Sequence, residues 1–159
     1  MPPGARAEAS WPGPVSANVT RRTPRLRVIM ATRRASCLCG QLTVEVEGDP
    51  VRVSICHCLG CQRRTGSVFG VQARWPREQV RIDGDATEYV FALPTIARST
   101  RFFFCPRCGA TVYWSAGSEH IVVPVGAFAD PNFPAPRVSV WEDCMHPWVG
   151  LPDAIEHIG

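Results

Sequence analysis

Three tight groups hold seven of the eight cysteines in this 159-residue chain. They are Cys37-Leu38-Cys39-Gly40, Cys56-His57-Cys58-Leu59-Gly60-Cys61 and Cys105-Pro106-Arg107-Cys108-Gly109, with Cys144 standing alone. Thiols spaced in this way can form disulfides or bind a metal. Cysteines two apart on an extended strand point to the same side, so joining them strains the S–S geometry, whereas two same-side sulfurs both reach one zinc ion. The spacing therefore reads as two zinc sites built from thiolates.

Structural zinc takes four protein ligands, and catalytic zinc takes three and keeps a position for water or substrate. The seven clustered thiols divide as four plus three. Cys105 and Cys108 form a knuckle in which Pro106 fixes the turn and Gly109 lets backbone N–H groups approach the sulfurs. A knuckle supplies two ligands, and Cys37 and Cys39 supply the other two, stapling distant strands of a small β domain. Cys56, Cys58 and Cys61 remain. Three thiolates leave zinc a position where a thiol substrate binds as thiolate. The competing reading is a second closed site, with Cys144 or a histidine as fourth ligand. His57, between two ligands, should point away from the metal, as a surface residue or one that backs the ligands.

The elements that must position these thiols read as β-strands. Gln41–Glu47 alternates, with Leu42, Val44 and Val46 on one face, and Val51, Val53 and Ile55 alternate again into the Cys56 cluster. Gly48-Asp49-Pro50 is a turn between them. Leu59–Gly66 reads as a helical turn ended by Gly66. Ser67–Arg74, Gln79–Ile82, Thr87–Phe91, Arg101–Phe104, Ala110–Trp114 and His120–Ala127 follow as strands, with Asp83-Gly84-Asp85 as a hairpin turn. Phe128–Arg137, with three prolines, must be a loop, Val138–Glu142 is the last strand, and His146-Pro147-Trp148 opens an irregular end. The expectation is one all-β domain.

Residues 1–34 carry seven arginines against one acid, Glu8, a net +6, while residues 35–159 carry ten arginines against thirteen acids, a net −3. The folded part lacks the basic balance of a nucleic-acid module. No apolar run is long enough to span a membrane. The tail has no regular apolar spacing, and residues 1–29 read as disordered. Met30 as the true start is favoured over an organelle transit peptide, because the tail's prolines oppose an amphipathic helix. With no secretory signal, the thiols are expected in a reducing compartment, the cytoplasm, where clustered cysteine means metal more than disulfide.

The residues resemble a known family, the glutathione-dependent formaldehyde-activating enzymes, which include the centromere-protein-V-like domains. The resemblance rests on Cys37-Leu38-Cys39-Gly40, on Cys56-His57-Cys58 with Cys61, on Arg64-Thr65-Gly66-Ser67 with Phe69, and on Phe104-Cys105 with Cys108-Gly109. It runs from about Ser36 to the end of the chain, which sets a 1–34 tail against a 35–159 domain. It implies a zinc-binding Mss4-like β fold. It also implies a structural zinc on Cys37, Cys39, Cys105 and Cys108 and a catalytic zinc on Cys56, Cys58 and Cys61. The implied activity is that of a carbon–sulfur lyase, condensing glutathione with formaldehyde to S-hydroxymethylglutathione. The alternative is a zinc-stabilised binding or scaffold module without turnover, and a weaker one is a thiol-redox or zinc-storage protein.

Arg63, Arg64, Thr65 and Ser67 either line a pocket for a glutathione carboxylate or form a solvated turn. Phe69, Trp75, Phe102, Phe103, Phe104, Tyr113 and Trp114 are expected in the core, as is Trp148. Trp141 and the His146-Pro147-Trp148 run also suit a cover over a site entrance. His120 and His157 carry no usable signal.

Overall fold

The computed structural model describes residues 31–92, 99–117 and 119–158. In chain order its elements are β1 (Thr32–Ser36), β2 (Thr43–Glu47), β3 (Arg52–Cys56), α1 (Leu59–Thr65), β4 (Gly70–Pro76) and β5 (Val80–Asp83). They continue as β6 (Thr87–Ala92), β7 (Ser99–Phe104), β8 (Thr111–Ala116), β9 (His120–Pro124), β10 (Val138–Val140) and β11 (Glu156–Ile158). The all-β expectation holds. One sheet has the order β1-β2-β5, and the other has the order β11-β10-β3-β4-β9-β8-β7-β6. β10 runs parallel to both β3 and β11, and the remaining pairs are antiparallel. Among the described residues no helix is long and apolar enough to cross a membrane.

The core follows from the alternation. Val44 and Val46 of β2 are fully buried with Leu42 just before them, and they join Val53, Ala73, Val112, Ile121 and Val123 of the large sheet. Trp75 is fully buried between Phe128 (5.6 Å between ring centroids) and Phe133 (6.3 Å), and its indole N–H donates to the Gly48 carbonyl at 3.3 Å. β3 lies between β10 and β4, and Val53, Ser54, Ile55 and Cys56 are all buried, as expected of a strand covered on both faces. The strand that delivers Cys56 is thus held deep in the sheet.

The structure corrects four expectations. β1 begins at Thr32, so residues 32–34 belong to the sheet and not to the tail. Its arginines lie across from Glu45 and Val46 of β2, and Arg33 donates to the Gly48 carbonyl and to Asp49, both at 3.1 Å. The disorder expected of residues 1–29 lies outside the described residues. Asp83-Gly84-Asp85 is a crossover and not a hairpin, because β5 pairs with β2 while β6 pairs with β7. Gly84 sits at φ 98°, and a Cβ there would lie 2.0 Å from the Gln41 carbonyl oxygen. The run expected as strand over His120–Ala127 ends at Pro124 and continues as a 3-10 turn, Val125–Phe128. β10 stops at Val140 because Trp141 takes a left-handed conformation (φ 61°) that opens a further 3-10 turn, Glu142–Cys144, and β11 is a further strand beyond it.

Candidate metal centres

Cys37 and Cys39 lie in the β1–β2 connection, and Cys105 and Cys108 lie in the β7–β8 connection. The two loops are built alike. The Gly40 N–H donates to the Cys37 carbonyl at 3.0 Å, and the Gly109 N–H donates to the Cys105 carbonyl at 2.9 Å. Both glycines need positive φ, at 77° and 72°, which turns the chain back so that each cysteine pair faces the other. The four sulfurs all lie within 4.8 Å of one another, with Cys37 to Cys39 at 3.5 Å and Cys39 to Cys105 at 3.6 Å. Sulfurs about 2.3 Å from a tetrahedral zinc stand roughly 3.8 Å apart, so this spacing suits the metal.

The donor set fits as well. The Leu42 N–H points at Cys37 Sγ (3.3 Å), the Arg107 N–H at Cys105 Sγ (3.4 Å), and the Gln41 amide at Cys105 Sγ (3.1 Å). Donors aimed at sulfur favour thiolate over thiol. Burial works to raise Cys105, but the Gln41 amide and the Cys108 and Arg107 N–H groups pull it down to about 6. Gln41 also brackets the backbone of Asp85, donating to its carbonyl at 2.7 Å and accepting its N–H at 3.1 Å. One side chain therefore ties this group to the β5–β6 crossover.

Cys56 ends β3, Cys58 caps α1, and Cys61 lies in its first turn. Their sulfurs also fall within 4.8 Å of one another, and no fourth His, Cys, Asp or Glu ligand atom of the described residues joins them. Cys144 therefore stands outside the group, although its carbonyl accepts from Gln62 Nε2 at 3.0 Å. The same amide donates to the His57 carbonyl at 2.7 Å, and Gln62 Oε1 meets His146 Nε2 at 3.3 Å. The three thiols share charge unequally. Cys58 is held far below the ordinary thiol range by hydrogen bonds from Cys56 and Cys61 and by the Cys61 and Gly60 N–H groups. Cys56 is pushed up, chiefly by its bond to Cys58.

The His57 ring nitrogens do not join the three sulfurs, and the residue is not on the surface. It is fully buried edge-on to Phe69 (6.1 Å), with neither ring nitrogen hydrogen-bonded, and burial lowers its pKa against the opposing Glu142 carboxylate. Of the four residues considered for a carboxylate pocket, Arg63 and Ser67 are exposed. Thr65 caps the helix end, donating to the Cys61 carbonyl at 2.9 Å. Only Arg64 turns onto the sheet, over Trp114 at 4.4 Å. Trp75, Phe103 and Tyr113 are in or against the core, but Phe102 and Trp114 form a separate platform beneath Arg64. Trp148 is not core, since it is 69% exposed. The His146-Pro147-Trp148 run does reach α1, through the His146–Gln62 contact. Gln41 and Gln62 escaped the sequence reading. The signal was present, since each glutamine immediately follows a cysteine motif, Gln41 after Cys37-Leu38-Cys39-Gly40 and Gln62 after Cys61.

A solved structure, the crystal structure of a Rhodobacter sphaeroides protein, is 25% identical, with 63% of this chain and 91% of that chain covered and a TM-score of 0.49. The family model of the glutathione-dependent formaldehyde-activating enzyme matches residues 32–144, from the first residue of β1 to the cysteine whose carbonyl is held by Gln62. With both thiol groups assembled inside that span, the chain belongs to the glutathione-dependent formaldehyde-activating enzyme family.

Proposed function

We propose that this protein holds two zinc ions and joins a thiol such as glutathione to formaldehyde or another small aldehyde. The observation that carries the reading is the three-sulfur group with no fourth His, Cys, Asp or Glu ligand atom beside it among the described residues, distinct from a separate group of four. Cys37, Cys39, Cys105 and Cys108 would hold a structural zinc, and Cys56, Cys58 and Cys61 a second one with an exchangeable position. When bound there, zinc supplies a Lewis-acidic position that lowers the pKa of an incoming thiol. In the reaction the thiol sulfur adds to the carbonyl carbon and a C–S bond forms. The carbonyl π pair moves to oxygen, which takes up one proton for the one the thiol loses, so no oxidant or reductant enters.

The chain's own residues prepare the site. The Cys61 N–H fixes Cys58 Sγ at 3.3 Å. Gln62 fastens α1 to the end of β3 and to the C-terminal segment, which holds the three sulfurs in one place. Arg64, one turn after Cys61, lies over the Trp114 and Phe102 rings and so fixes the end of α1 on the sheet. All eight cysteines are free, which suits the reducing cytoplasm as the working compartment.

The test is the metal content of the purified full chain, followed by two-dimensional exchange NMR of glutathione with 13C-formaldehyde. Two zinc ions per chain and an exchange rate above the uncatalysed one are expected. A second zinc lost on Cys144→Ser would mean a closed site and overturn the reading in favour of a scaffold.

A further inference from the structure

We infer that β6 is a self-association edge, through which two copies of this chain join their large sheets in an antiparallel, two-fold pair centred on Val90. The inference is independent of what the thiol groups do.

β6 is the outermost strand of the large sheet, hydrogen-bonded to β7 on one side and to no other strand of the described residues. Its free side presents N–H and C=O groups without strand partners. Five of its six residues are exposed, Tyr89 by 58% and Val90 by 51%. Such an edge pairs with another chain unless charge, proline, a bulge or shortness prevents it. The other three edges are guarded. β1 carries Arg33 and Arg34, β5 carries Arg81 and Asp83, and β11 is three residues long and includes Glu156 and His157. β6 reads Thr-Glu-Tyr-Val-Phe-Ala, without proline, and the whole chain lacks lysine, the guard most used at edges. Its register with β7 is unbroken over six pairs, and the irregularity in this part of the sheet lies on the inner side, between β7 and β8 at Phe103 and Phe104. Its one charge, Glu88, is bound back into the hairpin by the Arg101 guanidinium.

The edge fits a second copy of itself. A two-fold axis perpendicular to a sheet reverses strand direction and keeps each face on its own side, so odd positions meet odd and even meet even. With the axis at Val90, Tyr89 falls opposite the partner's Phe91, Val90 opposite its own copy, and Glu88 opposite the partner's Ala92. No like charges oppose one another, and aromatic and β-branched cross-strand pairs stabilise a sheet. Tyr89 is in register with Phe102, and Phe102 with Trp114, so these three share a face, and the partner's Phe91 continues that aromatic row. An axis at Tyr89 would instead set Phe91 opposite Thr87 and lose the aromatic pair. An edge whose one charge is already paired offers an acidic or basic partner nothing to recognise, which favours the self-match. Six residues of strand span about 20 Å. That is short for a standard interface of about 800 Å² per partner, so the dimer is a weak one that dissociates at micromolar concentrations or above.

The test is sedimentation equilibrium of the full chain over a concentration series, with a phosphine reductant present so that no disulfide joins the copies. The weight-average mass is expected to rise from 17.5 kDa toward twice that value. Val90→Lys and Val90→Glu each set like charges on the axis, and each is expected to stay at 17.5 kDa with the melting temperature of dilute protein unchanged, since Val90 is half-exposed. Mixed in equal amounts, the two variants are expected to regain the dimer, because the axis sets one against the other. Ala92→Arg, which places a cation across from the partner's Glu88, is expected to tighten the dimer at least about twofold. An unaltered chain that stays at 17.5 kDa up to ~1 mM overturns the inference without need of any variant. So does a dimer that survives in both Val90 variants, which must use another surface. Val90 variants that remain monomeric when mixed, or an Ala92→Arg dimer weaker than the unaltered one, overturn the Val90-centred pairing.

Discussion

Replacing Gly84 by alanine tests the crossover that ties the four-sulfur group to the rest of the fold. The added Cβ would stand 2.0 Å from the Gln41 carbonyl oxygen, 2.9 Å from its carbon and 3.0 Å from Leu42 Cα, all backbone atoms that cannot rotate away. Either the crossover or the Cys37–Leu42 loop must shift, and the shift breaks the two hydrogen bonds between the Gln41 side chain and Asp85 (2.7 and 3.1 Å). Gly117 supplies the control. Its φ of 94° is nearly that of Gly84, at 98°, yet nothing lies within 4 Å of its Cβ position. Both variants incur about 1–2 kcal/mol for an L residue at positive φ. Only Gly84→Ala also loses two hydrogen bonds at about 0.5–1.5 kcal/mol each, a difference of about 1–3 kcal/mol. For a domain of this size that is about 4–12 °C between the two melting temperatures. Differential scanning calorimetry of zinc-loaded protein, with metal release followed by a chromogenic chelator, gives both readouts. The crossover argument is refuted if the two variants melt together and release metal at the same rate.

Other outcomes follow from the same contacts. Cys105→Ser should lower metal content and melting temperature together, because Cys37 and Cys39 meet Cys105 and Cys108 across 66 residues of chain. Full metal content in that variant, measured by atomic emission, would remove the structural assignment. Cys58→Ser should abolish cobalt-monitored thiol binding and leave the four-sulfur metal in place, whereas Cys144→Ser should change neither. On acidification the three-sulfur group should lose its metal first, since it offers three thiolates where the other group offers four. Stepwise acid release with a fluorescent zinc indicator should show two phases in that order. A chain begun at Ala35 should melt well below one begun at Met30, because it lacks the Arg33 bonds to Gly48 and Asp49 and three of the five β1–β2 pairs.

The thiol groups were legible in the sequence because metal ligands on a turn must come from nearby positions, and that spacing is written in the chain. β2 was legible because Leu42, Val44 and Val46 bury one face. β1 was not, since only Ala35 of its five residues is buried, which leaves no apolar alternation to read. β11 is exposed throughout and carries no apolar alternation. Asp83-Gly84-Asp85 has the composition of a hairpin turn, but turn chemistry cannot say that the flanking strands pair in different sheets. The Arg64 platform depends on Trp114, fifty residues away and three strands across the sheet from Cys56, which no local pattern carries.

α1 buries none of its seven residues. A helix this short does not persist in water by itself, and without a packed face it draws no stability from the core. What holds it are the Gln62 bonds, the Thr65 cap and the stack of Arg64 on Trp114. Its opening is therefore a local event, cheaper than unfolding the sheets beneath it. Amide protons of residues 59–65 should exchange with deuterium far sooner than those of β3 and β4, and the three-sulfur metal should turn over at the rate of that opening. The four-sulfur metal, seated where the two sheets meet, should leave only when the whole domain comes apart.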